Sequence, residues 1–511
     1  MKKRSALVLA ALVAIAAPQA IEATPYASNI RLASTSFAAG AGTTITYVLN
    51  QAATSTTIEI IDPLNNVVAS FAGTATAGSN SVVWNGTVDN ASGAIVPTGT
   101  GYRVRITANG PSVANWTRYK AQGATTSLPP MGDTDLATDW WPKGLTVNRD
   151  PDSDHFGNVY VGFGYQTLQP AAAIMEFTAD LEVKAGDNGL ASRIMRHPGD
   201  DEVAPNPASY TVWGVSFDPE DSNRLWYTGQ ATSNGNTGAK EYFTGVAVNG
   251  VFPQFATDAD PSNVVANGQF PRGLTIHRYG TTRYGFITFG NATVLVVTLD
   301  ANNNFATLVG NILSTTGWTN ANTRYSKNTR FDSAGNMYWG SQRINQTVGS
   351  ENGKVYRWTA AAVQAAIANP GSAPLTEANA SAIVINDHVG VNQRVAGFEI
   401  HPISGDVYVF TPAQGMFNVG NTNTLSGTIN LSLLSPLLIN TDFRPTNGNI
   451  NAGTSDFWFD AVGNLVVCDG ASENVFAFAP PSAVPTTTTF VAPPSQTFTI
   501  TASTADWEVL N

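Results

Sequence analysis

One cysteine in 511 residues leaves no internal disulfide and no Cys-based zinc cluster. That residue, Cys468, sits in the apolar run LVVCD and reads as a buried small hydrophobe. Charge is scarce too. Only 12% of residues are Asp, Glu, Lys or Arg, the net charge is −11, and no basic run is interleaved with aromatics. A chain of that balance gains no general attraction to phosphate backbones or anionic lipid, which sets nucleic acid aside. The five histidines (His155, His197, His277, His388 and His401) never stand three or four residues apart, so no HExxH-type metal helix is present. A GxSxG elbow, a GxxxxGK[ST] phosphate loop and a dinucleotide fingerprint are also missing. No apolar run reaches the roughly 20 residues needed to span a bilayer.

The first 23 residues, MKKRSALVLAALVAIAAPQAIEA, carry a basic start, a short apolar stretch and small residues near Ala20 and Ala23. This pattern predicts a cleaved signal peptide over 1–23 and export, either to the cell surface and beyond or to the periplasm. What the chain has in quantity is aromatics (11 Trp, 15 Tyr, 24 Phe) and 43% hydrophobic residues, enough to fill a folded core. Small polar and β-branched residues dominate the remainder and favour strands and turns.

Over residues 26–109, short alternating runs (TTITYVL, TTIEIID, VVASF, SVVWNG, YRVRITA) are separated by turn sequences such as DPLNN, TAGSN and DNASG. That reads as about seven strands of a sandwich. The order AGSNSVVWNGTVDNASGAIVPTGTGYRVRITANG resembles the Ig-like domain of the flagellar hook-capping (FlgD-like) family, through Gly78, Trp84, Asn85, Gly86, Gly93, Gly99 and Tyr102. Asn85 stands where that family more often has Asp, and Gly101 is inserted. The resemblance implies a spacer or docking module over 24–110, with Trp84 plugging the sandwich. Residues 111–141 break the alternation and are expected to form a linker.

Beyond residue 140 one phrase recurs six times: strand, a turn rich in Asp, Gly or Asn, strand. FDSAGNMYWGS (331–341) and FDAVGNLVVCDG (459–470) are its clearest copies. The copies anchor on Val147, Phe217, Ile276, Phe331, Ile400 and Phe459, and a third apolar run such as AIMEF, VLVVTL or TINLSLL usually follows. Small sheets of this kind bury both faces only when stacked radially, which predicts an all-β chain in which the Ig-like β-sandwich precedes a β-propeller of six blades, or seven, over 142–502. Residues 503–511 are expected to form a tail. The ring's closing strand has two candidates, TFTITA near the C-terminus and SVANWTRYK at 112–120. The repeat resembles NHL-type and gluconolactonase-like propellers.

On one face of the first strand of each copy the residues are small early on (Gly144/Thr146, Gly214/Ser216, Gly273/Thr275). The later copies depart, with Asn328/Arg330, Gly397/Glu399 and Asp456/Trp458. Asn328, Glu399 and Asp456 form a candidate oxygen-ligand set for Ca²⁺ or another divalent cation, as the gluconolactonase-like resemblance also implies. The competing expectation is that Arg330 pairs with Glu399 and no cofactor is bound. Lys143, Arg272 and Lys327 occupy one position ahead of the first strand, with Arg394 nearby, and make a candidate binding ring for a carboxylate or a sulfated sugar. Trp140, Trp141, Trp226, Trp318 and Trp339 are candidates for stacking on sugars or for plugging blades. With no catalytic motif in view, the leading reading is an exported non-catalytic scaffold whose propeller recognises a protein or glycan. The alternatives are a metal-dependent gluconolactonase-like hydrolase and a surface-layer or matrix component.

Overall fold

The computed structural model describes residues 24–91, 93–123, 141–164, 173–182, 194–196, 209–232, 240–247, 271–290, 293–303, 305–314, 324–343, 353–388, 395–411, 414–438, 456–469 and 474–502. These form an Ig-like β-sandwich and a β-propeller. The candidate signal peptide lies outside them.

One sheet of the sandwich holds Ala27–Leu32, Thr43–Leu49 and Gly78–Trp84. The other runs in the order Ser36–Ala38, Phe498–Thr501, Gly99–Gly110, Ser55–Ile61 and Val67–Ala72. Alternation is strict in Thr43–Leu49, where every second residue is buried, so one face of each strand fills the core. Trp84 is fully buried at its centre, edge-on to Phe37 and stacked on Phe71, and donates its indole N–H to the Thr87 carbonyl at 2.8 Å.

Two strands of this sandwich come from the far end of the chain. Thr486–Val491 and Phe498–Thr501 both pair antiparallel with Gly99–Gly110. This corrects the expectation that 142–502 is all propeller. TFTITA closes the sandwich, because Phe498 and Ile500 are apolar on one face and complete the core around Trp84 and Tyr102. The expected linker 111–141 is corrected as well. Thr117–Gly123 pairs with Asn474–Ala479 as the outermost strand of the last blade. The propeller is thus inserted between strands of the sandwich.

Six strand sets of the propeller are described. Their innermost strands are Trp141–Val147, Ser209–Asp218, Pro271–Tyr279, Arg324–Phe331, Gly397–Ile400 and Asp456–Phe459, here numbered as blades one to six. Each packs on the next, and the sixth packs on the first. The run TINLSLL does not join its own blade. Gly427–Asn430 crosses to blade four and pairs parallel with Ala382–Ile385, which covers an otherwise open edge.

The recurrent phrase is a turn that caps itself. Asp332 Oδ1 accepts the backbone N–H groups of Ala334 and Asn336 at 3.0 and 2.9 Å, and Oδ2 accepts the Asn336 side-chain amide at 2.8 Å. Asp460 does the same with Val462 and Asn464. Asp62 repeats it in the sandwich with Leu64 and Asn66. The residue before the Asn has positive φ, +76° at Gly335 and +88° at Gly463, which is why glycine is spelled there.

In blade five His401 takes the Asp position. Its Nδ1 accepts from the N–H groups of Ile403 and Ser404 at 3.3 and 3.1 Å. Burial pushes His401 down to about 4, and Arg149 adds to the effect. A base lowered in this way adds stability that is complete above its unfolded value near 6.5 and is lost as pH falls towards 4. That amounts to about 3 kcal/mol for a shift of this size. The His401→Asn chain keeps an acceptor for both N–H groups and should show a flatter fall in melting temperature between pH 6.5 and 4. A slope equal to that of the parent would refute this.

Sandwich and propeller meet at a built junction. Tyr26 lies 5.5 Å from the Phe156 ring and Phe156 4.6 Å from Phe490, centroid to centroid, with Ala179 and Val462 completing the cluster. Around it, Asn29 donates to Asn158 at 2.8 Å and Asn464 to the Thr24 carbonyl at 3.0 Å. Asp460 beside it is raised to about 6 by burial, against the hydrogen bonds from Asn464 and Val462.

Candidate functional site

The small residues of the early blades serve the close approach expected of them. A Cβ on Gly144 would meet the Trp213 carbonyl at 2.7 Å, and one on Gly273 would fall 1.4 Å from Asn328 Oδ1. Ser216 Oγ donates to the Leu274 carbonyl, and Thr275 Oγ1 to the Thr329 carbonyl at 2.9 Å, so neighbouring inner strands are stitched by side chains.

Two polar levels follow along these strands. At the first, Asn328 is buried with Oδ1 over Gly214 and Gly273, while Asp456 Oδ1 lies beside Gly397 and accepts its neighbour's N–H at 3.0 Å. At the second level, two residues and about 7 Å further along, sit Arg330, Glu399 and Trp458. Arg330 Nε donates to Glu399 Oε2, and Arg149 reaches Oε1 at 3.4 Å. Arg149 also donates Nε to the Phe459 carbonyl at 2.6 Å. Both guanidinium groups lie over the Trp458 ring, at 4.9 Å for Arg149 and 4.2 Å for Arg330. Burial holds Arg149 below its ordinary value, with Glu399 opposing.

This geometry does not fit the proposed oxygen set. Asn328 and Asp456 share one level, Glu399 belongs to the other, and both of its oxygens already face guanidinium groups. A divalent ion there would sit beside two fixed positive charges. Arg149 escaped the reading of the sequence. Its one signal was that Arg278 stands at the same place two residues after the anchor of blade three.

The cationic set lies at the opposite end of the inner strands. In blades one, two and three the ladder breaks register at one place, skipping Lys143, Trp213 and Arg272. A bulge turns the extra residue out of its face. Here it gathers the three residues, with the Arg272 guanidinium 3.4 Å and Lys143 Nζ 5.2 Å from the centre of the Trp213 ring. Lys143 and Arg272 are both buried. Blade four breaks register over Lys327 and Asn328. The Lys327 side chain and Arg394 lie outside what is described, as do Trp140, Trp318 and the side chain of Trp141. Trp226 and Trp339 are core plugs, fully buried, which removes them as sugar platforms. Cys468 is buried, as read.

Residues 33–112 match the FlgD Ig-like domain. A comparison with curated protein sequences returns no match. Among solved structures, a protein of unknown function from Bacteroides thetaiotaomicron is similar over 89% of this chain and 98% of its own, at 9% identity and a TM-score of 0.37. The C-terminal WD40 domain of Sif2 is similar over 72% and 99%, at 9% identity and 0.34. PorZ, a bacterial surface component of the type-IX secretion system of Porphyromonas gingivalis, is similar over 86% and 50%, at 11% identity and 0.33. The strand pairing and the ring of inner strands, rather than these distant likenesses, define the fold. Among the described residues no helix is long and apolar enough to cross a membrane.

Proposed function

We propose that the chain is an exported, non-catalytic scaffold in which the Ig-like sandwich carries a six-bladed propeller that recognises an anionic group on a glycan or protein. The observation that carries this reading is the bulge-built cluster of Lys143, Trp213 and Arg272, two cations and an aromatic ring gathered from three blades at one end of the inner strands. A planar guanidinium suits a carboxylate or sulfate ester, and the ammonium adds a point charge. The basic, apolar leader over 1–23 supports export, and the return of the sixth inner strand to the first supports the count of six. A metal-dependent hydrolase is the rival enzyme reading, and the two-level placement of Asn328, Asp456 and Glu399 speaks against it.

The test is an array of sulfated, uronic-acid and neutral glycans probed with the mature chain and with its Lys143→Met/Arg272→Gln variant. Binding to sulfated or uronic-acid glycans, weakened at least tenfold in the folded variant, is the expected result. Equal binding by both chains, or none to acidic glycans, would overturn it.

A further inference from the structure

At the other end of the inner strands, beyond Arg149 and Trp458, a cavity of about 610 Å³ opens between blades one and two. That size is typical of small-molecule sites. Comparison with its neighbours shows why it is there. The position just after the anchor holds Asn148, Asp218, His277, Asp332, His401 and Asp460 in blades one to six. Where the next blade's anchor is Phe, a ring usually covers that Phe. His277 stacks on Phe331, with centroids 4.1 Å apart and planes 2° from parallel, and His401 packs on Phe459 at 4.8 Å. Blade one offers Asn148 to Phe217 instead. Asn148 is held down by its own bonds, from Nδ2 to Ser153 Oγ and to the Ser222 carbonyl, both at 3.1 Å. The space an imidazole fills elsewhere is left as cavity, with Phe217, packed edge-on against Tyr160, in its wall.

The remaining wall is polar, and among the described residues all of its charged side chains but Asp150 are held in ion pairs. Asp218 and Glu220 are paired with Arg283 and Arg278, Asp221 lies 3.5 Å from Arg224, and Arg149 is engaged by Glu399. Fixed carboxylates keep lone pairs that accept hydroxyl groups, while the pairing of all but one of the charges leaves an ionic ligand little advantage. We infer that this cavity is a binding site for a neutral saccharide, whose ring lies on Phe217 where blades three and five place histidine, with its hydroxyl groups towards Asp150 and Glu220. This site is separate from the cationic cluster and does not depend on the reading given for it.

The experiment is saturation-transfer NMR and tryptophan fluorescence on the whole mature chain. The probes are galactose, mannose, N-acetylglucosamine and the disaccharides lactose, cellobiose and chitobiose, with glucuronic acid and glucosamine as charged controls. At least one neutral sugar should bind, and binding should fall at least tenfold in Asn148→His, which copies the ring of blades three and five. Phe217→Leu, which keeps an apolar contact with Tyr160, should weaken it similarly and covers the case in which the histidine variant fails to fold. Failure of every neutral sugar to bind, preference for a charged control, or unchanged affinity in a folded variant would each overturn the assignment.

Discussion

A chain ending at residue 485 should lose the folded sandwich and keep the propeller. The missing residues supply Phe498 and Ile500, each 2% exposed, to the core that holds Trp84. Phe498 alone touches three aromatic neighbours, with ring centres 5.5 Å from Phe37, 5.7 Å from Tyr102 and 6.0 Å from Trp84. Two fully buried side chains of this size are worth about 3–6 kcal/mol together. The truncation also strips Gly99–Gly110 of both segments that pair along one of its edges, leaving only Ser55–Ile61 on the other. Against a domain stability of about 5–15 kcal/mol, the sandwich has little left. Limited proteolysis should release fragments from residues 24–110 while a core from about residue 117 resists, and the near-ultraviolet signal of Trp84 should collapse. A protease-resistant sandwich in the truncated chain, or loss of the propeller instead, would show that the terminal strands belong elsewhere.

Glu399→Ala is expected to cost about 3–5 kcal/mol, because it leaves the buried Arg330 guanidinium and the part-buried Arg149 beside each other without their anion. Glu399 is 2% exposed, Arg330 is 6% exposed, and the pair ties blade four to blade five while Arg149 brings in blade one. Replacing Arg330 and Glu399 together by Met and Leu should recover much of the loss, since an apolar pair of similar volume carries no desolvation cost. Denaturant titration of the propeller transition reads both variants. A change under about 0.5 kcal/mol in Glu399→Ala would refute the ion-pair account. Added Ca²⁺ that raised the parent's melting point but not that of the variant would restore the metal reading.

Much of the architecture is local and therefore spelled in the chain. The phrase in which Asp precedes Gly-Asn is legible because one carboxylate satisfies three donors only over that spacing, and only glycine or Asn accepts the left-handed residue. Trp84 was legible for a similar reason, as a large ring among strictly alternating neighbours. Glu399 with Arg330 was also open to reading, since equivalent positions on consecutive inner strands face one another.

Other features depend on partners far away in the sequence. TFTITA and SVANWTRYK carry the same alternation, and nothing local says which one closes the ring. The choice follows from which core has a gap of matching shape, and that exists only once both domains have formed. Lys143 and Arg272 shared a position, but their meeting over Trp213 required bulges that depend on how each strand registers with its neighbour. The consequence of Asn148 likewise appears only in the fold, where imidazoles cover Phe331 and Phe459 and a cavity lies over Phe217.

The sequence by itself therefore determined the strands, the turns and the two kinds of module, because these follow from side-chain alternation and from hydrogen bonds within five residues. Tertiary structure alone decided that the propeller interrupts the sandwich, that the oxygen set falls on two levels, and that a cavity replaces a ring between blades one and two. Those outcomes turn on register and packing between segments up to hundreds of residues apart, where a displacement of one residue turns a side chain to the other face.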